Sequence, residues 1–160
     1  MSNSAPSYSP EVAKPFREEL TAVGFKELLT VADVDAALNI QNDKTTLLIL
    51  NSVCGCAAGK ARPGVILSMA NELIPDEYVT LFAGMEKEAV THFREKYLPG
   101  LTATSPNIAV FKNGQLIHIL HRYMIEGNSA VEIAQELSAV YDKVCSKRNL
   151  PEEIDKLKII

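Results

Sequence analysis

The chain has 160 residues, 47% of them hydrophobic and 22% charged, a length and balance that give one globular domain with its own core and exclude a disordered chain. Lys and Arg number 16 against 20 Asp and Glu, a formal net charge of −4, which is the wrong sign for a broad grip on nucleic acid or an anionic membrane. Apolar runs such as Leu47–Leu50 are short, and Met1–Pro10 lacks a basic segment followed by an apolar one, so a soluble, cytoplasmic protein without a membrane span is expected.

Residues 1–8, MSNSAPSY, are small, polar and proline-containing and read as a flexible terminus ahead of a single domain over 9–145. Ser9 is a candidate N-cap with Pro10 at the first helical position; Val12, Phe16, Leu20 and Val23 then recur at helical spacing until Gly24. A shorter helix is expected from about Val31 to Ile40, entered from Thr30 or Asp33, with Gln41-Asn42-Asp43 as the polar loop after it. A short strand near Phe25 is a further candidate.

Thr45–Val53, TTLLILNSV, is an apolar run rather than an alternation, the pattern of a strand buried on both faces of a parallel sheet. Ala57–Leu73 has helical spacing interrupted by Gly59 and Pro63, which predicts a bent helix. Tyr78–Ala83 reads as a strand, and Glu86–Tyr97 as a helix with Ala89, Phe93 and Tyr97 on one face. Asn107–Lys112 and Gln115–His121 are separated by Asn113-Gly114, a strong hairpin signal because both residues tolerate positive φ. Ser129 with Glu132 forms a capping box for a last long helix whose buried stripe reads Ala130, Ala134, Leu137, Tyr141 and Val144. Residues 146–160 read as a charged tail or short helix. The order is α/β, with a central mixed sheet flanked by helices and an N-terminal helical extension.

Three cysteines are too few for a disulfide framework, and a close pair in a reducing compartment points to redox catalysis or metal binding. Cys54 and Cys56 are that pair. Two residues apart on a strand or on a helix, their side chains would diverge, so a turn through Gly55 is expected to join them at the junction of the buried strand and the bent helix. There, free backbone N–H groups and the helix dipole stabilise a thiolate. The 28 residues from Lys44 to Asn71 hold no Asp or Glu but carry Lys44, Lys60 and Arg62, which predicts an electropositive junction suited to an anionic thiol partner.

Position assigns the roles. Cys54, ahead of the first turn, is expected to be the exposed nucleophile, and Cys56, inside it, the more buried sulfur that resolves a mixed disulfide. The small ring of a C-x-C disulfide predicts a more oxidising pair than C-x-x-C. If ring strain is large, a second small thiol clears the adduct instead. A metal site built from Cys54, Cys56, Cys145 and one of His92, His118 or His121 is the competing reading, although no second close pair exists; a redox-sensing module using the same cysteines is another. Cys145, on an apolar helix, reads as a small buried hydrophobe. Ser105-Pro106 is either a strand-opening proline or a cis proline facing the cysteines. Arg122 and Glu126 make either a solvated ion pair or a binding site for an acidic thiol.

The segment NSVCGCAAGKARPG (Asn51–Gly64), in this order of elements, resembles the bacilliredoxin family, thioredoxin-like proteins with a CGC active-site motif. The resemblance runs from Pro15–Leu20 and Gly24-Phe25, through Phe82–Gly84 and Lys87–Ala89, to Ser105-Pro106, Arg122 and Ile125–Gly127. It implies a thioredoxin-like fold and a thiol–disulfide oxidoreductase that removes bacillithiol from protein mixed disulfides. By the same resemblance, Cys54 takes the bacillithiol, Cys56 is the second thiol, and Gly55, Ser105, Pro106 and Arg122 bind substrate. No cofactor is implied beyond bacillithiol as thiol co-substrate. The expected partners are S-thiolated proteins and small thiols, with the chain itself a monomer or weak homodimer. A general disulfide isomerase or reductase is the alternative activity.

Overall fold

The computed structural model of the chain describes residues 5–39, 42–150 and 152. Helix α1 (Pro10–Thr21) starts where the Ser9 hydroxyl accepts the Val12 N–H at 3.3 Å, as its cap sequence predicts. Its buried side is Ala13 and Leu20, with Phe16 half-buried, while Val12 is 50% exposed. The small Ala13, and not the predicted Val12, faces inward, which lets α1 approach Phe82 and Met85 closely. In the described part of the N-terminal segment, the Ser7 N–H donates to the Gly84 carbonyl at 2.6 Å, and the Tyr8 ring lies over Gly84. Residues 1–4 fall outside the described residues.

Strand β1 (Lys26–Glu27) supplies the short element near Phe25, and α2 (Val31–Leu38) opens on a reciprocal capping box between Thr30 and Asp33. Ile40, the expected end of that helix, and Gln41 of the loop expected after it fall outside the described residues. Strand β2 (Thr45–Asn51) is buried at every position. The chain then turns into a widened π-helical turn (Ala57–Ala61) that continues as α3 (Arg62–Ser68). Pro63 has no N–H to give the carbonyl of Gly59; the widened turn absorbs the mismatch by sending the Arg62 N–H back to the Ala57 carbonyl. The bent helix is shorter than the predicted Ala57–Leu73 because Met69, Ala70 and Asn71 close tighter three-residue turns after Ser68.

Strands β3 (Leu73–Ile74) and β4 (Glu77–Phe82), helix α4 (Lys87–Tyr97), the hairpin β5 (Asn107–Lys112) and β6 (Gln115–Leu120), and helices α5 (Arg122–Glu126) and α6 (Ala130–Val144) follow. The tail is corrected at its start: Lys147–Arg148 form β7, antiparallel to β3, and Asn149 donates from its side chain to the carbonyls of Met69 and Asn71. The remainder of the predicted tail, apart from Leu150 and Glu152, falls outside the described residues.

The main sheet has the order β1-β4-β2-β5-β6. Strands β1, β4 and β2 run parallel, and β5 and β6 are antiparallel additions on the other side of β2. Alternation along β2 divides the core. Leu48 and Leu50 pack with α2 and α4 through Val34, Val90 and Phe93, whereas Leu47 and Ile49 pack with α3 and α6 through Val65, Ile133 and Leu137. The result is a three-layer sandwich whose central strand delivers its C-terminal end to the cysteine segment. Among the described residues no helix is long and apolar enough to cross a membrane.

Candidate active site

Cys54 lies just outside the helix that follows β2. Its carbonyl accepts the N–H groups of Ala57 and Ala58, both at 3.2 Å, while Cys56 already has helical dihedrals (φ −69°, ψ −28°). That offset brings the two free sulfurs to 2.9 Å. The turn expected through Gly55 is made without a left-handed residue, since the positive-φ glycines among the described residues are Gly24, Gly84, Gly100 and Gly114. Gly55 contributes space instead: a Cβ there would meet nothing within 4 Å, so the edge of the sulfur pair is open to a bulky disulfide.

Cys54 and Cys56 fall in the same range of exposure. Both sulfurs are half-buried, with Cys56 packed against the core of α3 and α6, and the contrast between them is electrostatic. Burial is the largest influence on each and pushes both thiols up. At Cys54 it is outweighed by hydrogen bonds from Cys56, the Ser52 hydroxyl and the Ala57 N–H together with the Arg122 charge, so the net direction is down. At Cys56 the neighbouring Cys54 and the Glu126 carboxylate add to burial, and the net direction is up despite Arg122. The arrangement favours Cys54 as the sulfur that ionises first, with Cys56 placed to donate to it.

The cations near the sulfurs are not those of the acid-free window. Arg62 is fully buried and donates to Glu19 Oε1 at 3.0 Å, Asn51 Oδ1 at 2.8 Å and the Ser52 carbonyl at 2.8 Å. Lys60 donates to the Glu126 carbonyl, and Lys44 sits at the far end of β2 beside Glu77. The charge that reaches both cysteines is that of Arg122, at the start of α5. Its Nε pairs with Glu126 at 3.1 Å, one turn on, and its Nη1 donates to the Ser105 carbonyl at 3.2 Å. The Ser105–Pro106 peptide bond is cis. Pro106 is buried at the entrance to β5, where Asn107 faces Leu50 of β2. The structure thus gathers Cys54, Gly55, Cys56, Ser105, Pro106 and Arg122 at one end of the sheet. Beside them a cleft of about 400 Å³ is lined by Gly100, Leu101, Thr102, Thr104, His121 and Tyr123.

The four-ligand metal set considered from the sequence is not assembled. Cys145 lies near Thr45, whose hydroxyl tempers the upward push of burial on its thiol, at the opposite end of β2 from Cys54; His92 pairs with Asp35, and His118 with Glu136. Among the described residues no group of three or more His, Cys, Asp or Glu lies together. Sequence reasoning missed Ser52 and Asn51, which the structure puts directly behind Cys54. Their signal was a polar Asn-Ser pair ending an otherwise apolar run.

A family profile described as disulphide isomerase matches residues 8–145. The chain is 40% identical to a bacilliredoxin of Salinibacter ruber over 91% of its own length and 85% of that protein. It is 44% identical to a bacilliredoxin of Halalkalibacterium halodurans over 86% of its length and 94% of that protein. Among solved structures it is similar to Fasciola hepatica thioredoxin, at a TM-score of 0.52 and 18% identity over 75% of this chain and 99% of that one; the fold is thioredoxin-like.

Proposed function

Because the chain belongs to the bacilliredoxin family of thioredoxin-fold thiol–disulfide oxidoreductases, we propose that it removes bacillithiol from protein mixed disulfides, with Cys54 attacking and Cys56 as second thiol. The observation that carries the reading is the sulfur pair 2.9 Å apart beside an open edge at Gly55, in which the Cys54 thiol is pulled down and the Cys56 thiol pushed up. The Cys54 thiolate attacks the bacillithiol sulfur; that sulfur's bond to the protein breaks, and the protein leaves as a thiolate that takes up a proton. Cys54 then carries the bacillithiol as a mixed disulfide. It is cleared in one of two ways. Cys56, once deprotonated, attacks the Cys54 sulfur, releasing bacillithiol and leaving a Cys54–Cys56 disulfide; alternatively, a second bacillithiol attacks, forming bacillithiol disulfide and restoring the Cys54 thiolate.

Arg122, 45% exposed in its side chain, stands between the sulfurs and the cleft and suits a carboxylate-bearing thiol. On this reading the protein works in the cytoplasm on S-bacillithiolated proteins and free small thiols.

Cys56→Ala protein exposed briefly to a bacillithiolated target is expected to gain one bacillithiol, mapped to Cys54, much faster than it gains glutathione from a glutathionylated target. Equal adducts would replace this reading with a general thiol reductase or isomerase, and no adduct from either would end it. The contribution of Arg122 has a defined sign. Its positive charge favours the anionic sulfur, so Arg122→Ala moves the pH midpoint of Cys54 alkylation upward. The rate at pH 7 falls about twofold to fivefold at low salt, with convergence at high pH and in high salt because the residue is solvent-exposed. Iodoacetamide labelling with mass mapping of Cys54 measures it, and an unmoved midpoint removes Arg122 from the site's electrostatics.

A further inference from the structure

The fully buried guanidinium of Arg62 is not used by the chemistry above, yet it lies immediately behind the nucleophile's segment. One Nη1 donates to both the Ser52 carbonyl and Asn51 Oδ1, each at 2.8 Å. The same Asn51 oxygen accepts the Ser52 N–H at 2.9 Å, and the Asn51 amide donates to the Phe16 carbonyl of α1 at 3.1 Å. Arg62 is itself braced by α1: its Nε meets Glu19 at 3.0 Å, and its guanidinium lies 4.8 Å from the centroid of the Phe16 ring. Ser52 is thereby fixed at both its N–H and its carbonyl. Its hydroxyl accepts the Cys54 N–H at 3.4 Å, and it is among the groups that pull the Cys54 thiol down.

A cation with no solvent exposure is costly to keep unless something specific needs its donors, and the partners here belong to Asn51 and to Ser52, whose hydroxyl accepts the backbone N–H of Cys54. We propose that Arg62 is a positioning residue: braced by Glu19 and Phe16, it holds the Ser52 backbone and the Asn51 side chain so that the Ser52 hydroxyl stays on Cys54. The N-terminal helix is then a part of the active site rather than a covering for the sheet. The proposal rests on Cys54 being the attacking sulfur.

The test follows Cys54 alkylation by iodoacetamide against pH, with mass mapping, in full-length Arg62→Lys, Ser52→Ala and the double variant. Arg62→Lys keeps the charge and loses the fork. Each single variant is expected to raise the pH midpoint and slow labelling at pH 7 about threefold to tenfold, with no change once the sulfur is fully ionised. In the Ser52→Ala background the Arg62→Lys effect disappears. A merely structural role would lower the melting temperature and leave the midpoint in place. An unmoved midpoint in folded Arg62→Lys, or an undiminished shift in the double variant, overturns the proposal. If Arg62→Lys does not fold, Glu19→Gln, which loosens the outer end of the same ion pair, is expected to slow labelling about twofold at pH 7 by the same route, again only while Ser52 is present; no slowing would overturn it. Alkylation reads Cys54 without any disulfide substrate, so failure of the bacillithiol assignment leaves this result standing by itself.

Discussion

Cys54→Ser is expected to abolish release of bacillithiol from a bacillithiolated protein, lowering the multiple-turnover rate by about a thousandfold or more. A serine hydroxyl stays protonated at neutral pH and cannot form the mixed disulfide, so the first bond exchange has no acceptor sulfur at that position. Cys56 does not replace it. Burial and the neighbouring groups hold its thiol up, and it packs against the core of α3 and α6 rather than lying ahead of the helix. Release of bacillithiol followed by mass spectrometry decides the matter: substantial turnover by Cys54→Ser, with the adduct mapped to Cys56, would reverse the assignment of the two sulfurs.

Gly64→Ala is the substitution expected to damage the fold most for its size. Helices α3 and α6 touch at Gly64, where an added Cβ would lie 2.6 Å from Ile133 Cγ2 and 2.9 Å from Ile133 Cβ. Ile133 is buried and its Cβ is tied to the α6 backbone, so relief requires the two helices to separate rather than a rotamer to change. The expected loss is about 1–3 kcal/mol, against the roughly 0.5–1 kcal/mol that a helix gains from Gly→Ala at an open position. Gly59, where a Cβ meets nothing within 4 Å, is the control. Denaturant midpoints measure both, and the penalty at residue 64 should shrink in an Ile133→Ala background, which removes Cγ2. Equal stability of Gly64→Ala and Gly59→Ala would show that the interface yields without strain.

What was legible in the sequence is what depends on local pattern. The run Thr45–Asn51 reads as a doubly buried strand because every residue is buried. The Asn113-Gly114 hairpin reads from two residues that do adopt positive φ, +54° and +74°, and the box of Ser129 and Glu132 is local by construction. The cysteine junction followed from these. The cationic window failed because a charge in a sequence is taken as solvated, whereas Arg62 finds four partners on α1, Asn51 and Ser52 that lie far apart in the chain. Strands β3 and β7 were invisible for a related reason: two residues have no period, and each is a strand only because the other pairs with it. Arg122 was legible as one half of a pair with Glu126 that is either solvated or a binding site for an acidic thiol, but no spacing connects it to Cys54, and its place near the site entered through family resemblance.

The order of synthesis gives the central position of β2 a further consequence. Its parallel neighbour β4 and its antiparallel neighbour β5 both come later in the chain, as does α5 with Arg122. A growing chain therefore carries Cys54 and Cys56 out of the ribosome before the sheet that mounts them, or the cation that helps pull the Cys54 thiol down, exists. Until those non-local pairings close, the sulfurs are two ordinary thiols on an unpaired segment. The reactivity of the pair is thus a property of the finished sheet, and the nascent protein is spared a nucleophile it has no structure to control.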